Sequence, residues 1–169
     1  MRTLILVRHG DKAWKNNHKP TTVKGYQYDP PLLADYELPP STVVALRDIA
    51  FDRAFCSPFL RTRQTAQLLL NELTVDTPLT LRTELAEYLG NHRKGKPIVD
   101  PVTSSYFPTQ LELNLLMSES IARCERRVTD FLAALPREGT FLVISHGIIL
   151  KMICGHEIVE GGYYNHQSE

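Results

Sequence analysis

Two apolar runs constrain this chain more than anything else in it. Thr3–Val7 and Phe141–Ile144 are continuous hydrophobic stretches of strand length, and each stops abruptly at a polar group followed by His-Gly: Arg8-His9-Gly10 in one, Ser145-His146-Gly147 in the other. A run with no polar alternation is the pattern of a strand covered on both faces, as in a parallel sheet between helices. A third strand is expected over residues 52 to 57, running straight into the helical segment "PFLRTRQTAQLLLNEL", with Ser57 as N-cap and Pro58 as first helical residue. Leu60, Ala66, Leu69 and Leu70 form its apolar stripe. The clearest helical spacing is Ile121, Cys124, Val128, Phe131, Leu132 and Leu135, ended by Pro136. The apolar segment after Gly147 reads as a last helix packed in the core.

Alternating strands and helices predict an α/β fold: a three-layer α/β/α sandwich around a central, mostly parallel sheet with right-handed crossovers. At 169 residues the chain is expected to form one domain spanning 1–169, large enough to bury roughly 70% of its unfolded surface. Two long unpatterned segments, about 12–40 and 90–117, exceed ordinary connections and read as substrate loops.

Charge excludes whole classes of partner. Lys plus Arg and Asp plus Glu number 19 each, so neither nucleic acid nor an anionic membrane is an expected partner. Three cysteines without CxxC spacing argue against a disulfide scaffold. No apolar run approaches the ~20 residues of a membrane span, and the expected setting is the cytoplasm.

In open parallel sheets, ligands bind at the carboxyl ends of strands. That is where His9 and His146 fall, together with Arg8 and with Arg61 on the first turn of the helix after the second strand. Two guanidiniums and two imidazoles converging on one place make a site for an anion. Arginine's planar fork suits a phosphoryl group, a helix N-terminus adds free amides, and a histidine nitrogen facing phosphorus can act as nucleophile.

The pieces "LVRHG" (6–10), "CSPFLRTRQTA" (56–66), "LAEYLG" (85–90), "SES" (118–120) and "VISHG" (143–147) occur in this order along nearly the whole chain. Together they resemble the histidine phosphatase superfamily, which includes the cofactor-dependent phosphoglycerate mutases. The resemblance implies a phosphoglycerate mutase-like fold and transient phosphorylation of His9, with Arg8, Arg61 and His146 holding the phosphate. It also implies that Glu87 is the acid that protonates the leaving oxygen and then activates water. Glu84 and Asp11 remain the other carboxyls eligible for that role. Trp14 and Lys15 are expected to contact substrate, and no metal or other cofactor is implied. Mutases usually follow RHG with Glu or Gln, a small hydroxyl residue and a Trp-Asn pair; this chain has Asp11, Lys12, Trp14 and Lys15. Since that Asn helps hold phosphate in mutases, the expectation is plain hydrolysis of a small phosphorylated metabolite or a phosphoprotein. "RHGD" and "SPFLR" look like small phosphohistidine phosphatases in signalling, whereas "YDPPL" at 28–32 looks like eukaryotic-type branches.

Three further readings stay open. A metallophosphoesterase would use His9, Asp11 and His146 as ligands; a binder would keep the pocket without turnover; a mutase would return the phosphoryl group to its product. Arg63 and Gln64 are expected in solvent, Ser145 as a hydrogen-bonder behind the site, and Cys56 as a small buried hydrophobe. "HEIVE" at 156–160 has Glu160 where a zinc helix would need a second His. Arg93, Lys94 and Lys96 read as a solvated loop.

Overall fold

The computed structural model describes residues 1–13, 30–89, 116 and 119–168. Its five strands are β1 (Arg2–Arg8), β2 (Arg53–Cys56), β3 (Leu79–Leu81), β4 (Gly139–Ser145) and β5 (Tyr163–Ser168). They form one sheet in the order β3-β2-β4-β1-β5. β1 pairs in parallel with β4, β4 with β2 and β2 with β3, while β5 runs antiparallel to β1. The described helices are α1 (Pro40–Leu46), α2 (Leu60–Leu73), α3 (Ile121–Ala134) and α4 (Gly147–Cys154), with a 3-10 turn at Thr83–Leu85.

Strand periodicity sorts the core into two layers. Leu4, Leu6, Phe55, Phe141 and Val143 point to one face, against Cys124, Val128 and Phe131 of α3 and Ile149, Leu150 and Ile153 of α4. Ile5, Val7, Ala54, Cys56, Leu142 and Ile144 point to the other, against Val43 and Leu46 of α1 and Ala66, Leu69 and Leu73 of α2. The expected three-layer arrangement is therefore the one observed. The crossovers carrying α1 and α2 lead away from β1 on one face, and those carrying α3 and α4 return on the other. Connections thus diverge where β1 lies beside β4, leaving a crevice at the carboxyl ends of those strands.

Several local expectations are corrected. The helix after β2 starts at Leu60 with Phe59 as N-cap and no side-chain cap; the Ser57 hydroxyl is drawn to His146 at 2.8 Å instead, with only a long 3.4 Å contact from the Phe59 amide. Ile121 is 46% exposed, at the first residue of α3; the Ser120 hydroxyl accepts the Arg123 amide as its N-cap. Gln64 is half-buried: its Oε1 accepts the Leu32 amide at 2.8 Å, tying the segment after residue 30 to α2. Of the segment 12–40, the structure describes 12–13 and 30–40; there Lys12 is bridged to Leu32 and α1 opens on Pro40. β5 was not foreseen, since "YYNHQS" has no apolar run. Among the described residues no helix is long and apolar enough to cross a membrane.

Candidate active site

The sheet register brings the two histidines together. Arg8 lies opposite Ser145 in the β1–β4 pair, and each chain then continues one residue: the His9 amide donates to the Ser145 carbonyl at 3.0 Å. The rings of His9 and His146 meet edge to face with centroids 5.2 Å apart. From β2, the Ser57 amide donates to the Ile144 carbonyl at 3.0 Å, which places the start of α2, and with it Arg61, against His146.

Hydrogen bonding decides which nitrogens do what. His9 Nδ1 lies 2.8 Å from the Gly10 carbonyl; a carbonyl only accepts, so Nδ1 carries the proton and Nε2 keeps a lone pair. Burial first, and then the Arg61 charge, hold the His9 pKa down at about 3, so this lone pair is present throughout the neutral range. At His146, Nδ1 faces Arg61 Nη2 at 3.0 Å and Nε2 faces Ser57 Oγ at 2.8 Å. Guanidinium only donates, so Nδ1 accepts and Nε2–H donates to the serine. His146 is fully buried, and that burial, with the Arg61 charge, keeps it neutral.

Glu87 completes the cluster from the loop after the 3-10 turn. Its Oε2 is 3.3 Å from Arg61 Nη2 and 3.3 Å from His146 Nδ1. Oε1 is buried and has no hydrogen-bond partner among the described residues. Burial raises the Glu87 pKa, and Arg61 and Lys12 pull it only partly back. The competing carboxyl Glu84 is occupied elsewhere by Arg82 through a bidentate ion pair; burial alone would raise its pKa, but those hydrogen bonds pull it below the usual range.

Arg8 sits at the rim. Its Nη1 donates to the Ile158 carbonyl at 2.9 Å and its Nη2 is 3.5 Å from Glu160. The guanidinium lies against Gly147, where a Cβ would meet Arg8 Cζ at 3.1 Å, so a side chain after His146 would push the guanidinium back by a few tenths of an ångström. Thr65 Oγ1 accepts the Gly10 amide at 3.0 Å while donating to the Arg61 carbonyl at 2.8 Å, coupling the backbone beside His9 to the helix that carries Arg61. Trp14 and Lys15 lie outside the described residues.

His9, Glu87 and His146 each bring one nitrogen or oxygen within 4.8 Å of the others, a spacing that a divalent cation could bridge. The donor set opposes that use. Arg61, itself a cation, stands within 3.3 Å of two of the three groups, and both His146 nitrogens are engaged. Asp11 is not part of this group. An anion fits what is present: guanidinium donors, a free imidazole lone pair and a carboxyl with a raised pKa.

Residues 4–160 match the family described as the histidine phosphatase superfamily, branch 1. The chain belongs to that superfamily. Solved structures share the fold of this histidine phosphatase domain at low identity. A phosphoglycerate mutase from Bacillus anthracis aligns with a TM-score of 0.63 at 21% identity, over 98% of this chain and 88% of its own. A putative alpha-ribazole-5'-P phosphatase from Escherichia coli gives 0.64 at 19%, covering 97% and 89%. The ecdysone phosphate phosphatase of the silkworm, Bombyx mori, solved with tungstate, gives 0.59 at 18%, covering 90% and 76%. No curated protein matches the sequence.

Ser57, Thr65 and Lys12 adjoin this candidate site without a local sequence signal for it. Ser57 and Thr65 each bond a residue far along the chain, and the Lys12 charge reaches His9, Glu87 and His146.

Proposed function

We propose that this protein is a metal-independent phosphomonoester hydrolase that works through a phosphohistidine on His9. The observation that carries the reading is the His9 tautomer: Nδ1 is committed to the Gly10 carbonyl, which leaves Nε2 unprotonated in a pocket where Arg61 exerts the strongest charge effect on the ring.

In the first step Nε2 attacks phosphorus, the P–O bond to the leaving group breaks, and Glu87 gives its proton to the departing oxygen. Arg61 stabilises the charge on the phosphoryl oxygens, and Arg8 from the rim adds a second guanidinium. In the second step Glu87, now a carboxylate, takes a proton from water as the water oxygen attacks phosphorus and the N–P bond breaks. Inorganic phosphate leaves and His9 regains its lone pair. His146 serves the phosphate by holding Arg61 and Glu87 at fixed separation. Lys15 in place of the Asn that mutases use favours hydrolysis over phosphoryl return. The substrate is a small phosphorylated metabolite or a phosphoprotein side chain.

A panel of phosphorylated metabolites and phosphopeptides, run on wild type and His9→Ala together, tests this. Wild type releases phosphate, is inhibited by vanadate and is untouched by chelators, whereas the variant is silent. Turnover lost to a chelator and restored by a metal overturns the reading.

A further inference from the structure

Glu87 is useful as an acid only if its carboxyl is held still, and the loop that carries it has little structure of its own. The 3-10 turn before it closes just two internal bonds, Leu85 N to Arg82 O and Ala86 N to Thr83 O. Three outside bonds fix it in place. The Arg82 amide donates to the Cys56 carbonyl at 2.8 Å, Ser145 Oγ donates to the Leu85 carbonyl at 2.7 Å, and Arg127 Nη1 donates to the Glu84 carbonyl. Arg127 comes from α3, on a face of the sheet, and its other nitrogens are taken by Glu119: Nε to Oε1 at 2.7 Å and Nη2 to Oε2 at 2.9 Å. Both side chains are largely buried, 14% and 7% exposed. Glu119 belongs to the "SES" motif at 118–120.

A buried ion pair is weak evidence for stability, because desolvation offsets most of its attraction. Its geometry is specific, however: a bidentate fork through Nε and Nη2 fixes the guanidinium plane and so the direction of Nη1, here at the carbonyl three residues before Glu87. We infer that Arg127, oriented by Glu119, is a positioning residue that sets where the Glu87 carboxyl sits relative to the leaving oxygen. This rests on the reading of Glu87 as the acid.

The test compares wild type, Glu87→Gln, Arg127→Lys and Glu119→Gln on two probes, p-nitrophenyl phosphate, whose leaving group needs little protonation, and a simple alkyl phosphate, whose leaving group needs it. For Arg127→Lys and Glu119→Gln, kcat/KM, which reads the phosphorylation step and not the dephosphorylation common to both esters, is expected to fall at least about tenfold further on the alkyl ester than on the aryl ester. Adding Arg127→Lys to Glu87→Gln should cause no further selective loss, because the two act through one group. A purely structural role predicts equal losses on both esters together with a lower melting temperature, and that result overturns the inference, as does an unchanged alkyl rate in a folded variant. Should Arg127→Lys fail to fold, Glu119→Gln carries the same comparison. If Glu87→Gln itself loses equally on both esters, the acid reading falls and takes this one with it; a selective Glu87→Gln beside unselective Arg127 and Glu119 variants overturns the positioning role alone.

Discussion

Arg61 Nη2 lies 3.0 Å from His146 Nδ1, so a guanidinium directly occupies the face of the imidazole that looks into the pocket. The same nitrogen is 3.3 Å from Glu87 Oε2. One residue on the first turn of α2 therefore sets both the tautomer of one site group and the acidity of another. Because helix α2 is anchored to Gly10 through Thr65, His9 shares that frame.

Replacing Arg61 should therefore do two separable things. Arg61→Gln removes transition-state charge stabilisation, and kcat/KM is expected to fall about 10²–10³-fold. The positive charge that pulls the Glu87 pKa down also disappears, so that pKa rises further. A general acid works below its pKa, hence the alkaline limb of the residual rate should move to higher pH. A pH–rate profile, corrected for the substrate's own second ionisation near ~6, checks this; a limb that stays put would show that Glu87 is not the group observed.

Acid stability follows from the two buried histidines. His9 is held at about 3 against 6.5 when unfolded, and His146 is also lowered, burial being the main cause in both. Between those values the unfolded chain binds protons that the folded one refuses, so stability rises with pH there and is lost as pH falls below 6.5. Each histidine contributes at most about 1.4 kcal/mol per pH unit. Denaturant midpoints at pH 7 and pH 5 should show a smaller drop in His9→Asn than in wild type. An identical drop in both would place the acid sensitivity elsewhere.

The parts of this site that were legible in the sequence are those whose chemistry is announced where a strand ends. His9 and His146 follow unbroken apolar runs, and Arg61 follows a strand-to-helix junction, so their convergence needed only the rule for parallel sheets. Burial supplied the rest of the pattern, which is why the layers were readable too. β5 was not: an edge strand buries one side at most, and Tyr163, Asn165 and Gln167 are exposed in alternation, leaving no apolar signal. Ser57 and Gln64 were misread because local rules assign a serine before a helix to capping and a polar helical residue to solvent. Each is claimed by a partner 32 or more positions away, which no local pattern encodes.

Gly10 is a packing requirement as much as part of a motif. A Cβ there would overlap the Tyr36 ring, and one at Gly161, which also has φ +72°, would strike the Tyr36 hydroxyl. Tyr36 thus packs on two glycines, one beside His9 and one whose amide donates to the Arg8 and His9 carbonyls. Gly10→Ala should cost about 1–3 kcal/mol by urea unfolding, and clearly less when Tyr36 is also alanine. Equal costs in both backgrounds would mean that the strain lies in the backbone rather than against the ring.

Ser57→Ala offers the sharpest check on the proton assignment at His146. The Nε2–H would lose its acceptor at a position fully closed to solvent, a loss of about 1–3 kcal/mol in stability. The tautomer should hold, because the Arg61 guanidinium only donates and keeps Nδ1 an acceptor, whereas a serine hydroxyl can take either role. Imidazole nitrogen NMR at neutral pH is expected to show one His146 tautomer, protonated at Nε2, in wild type and variant alike, with the Nε2 signal shifted in the variant. A wild-type spectrum protonated at Nδ1 would reverse the assignment and make Ser57 the donor.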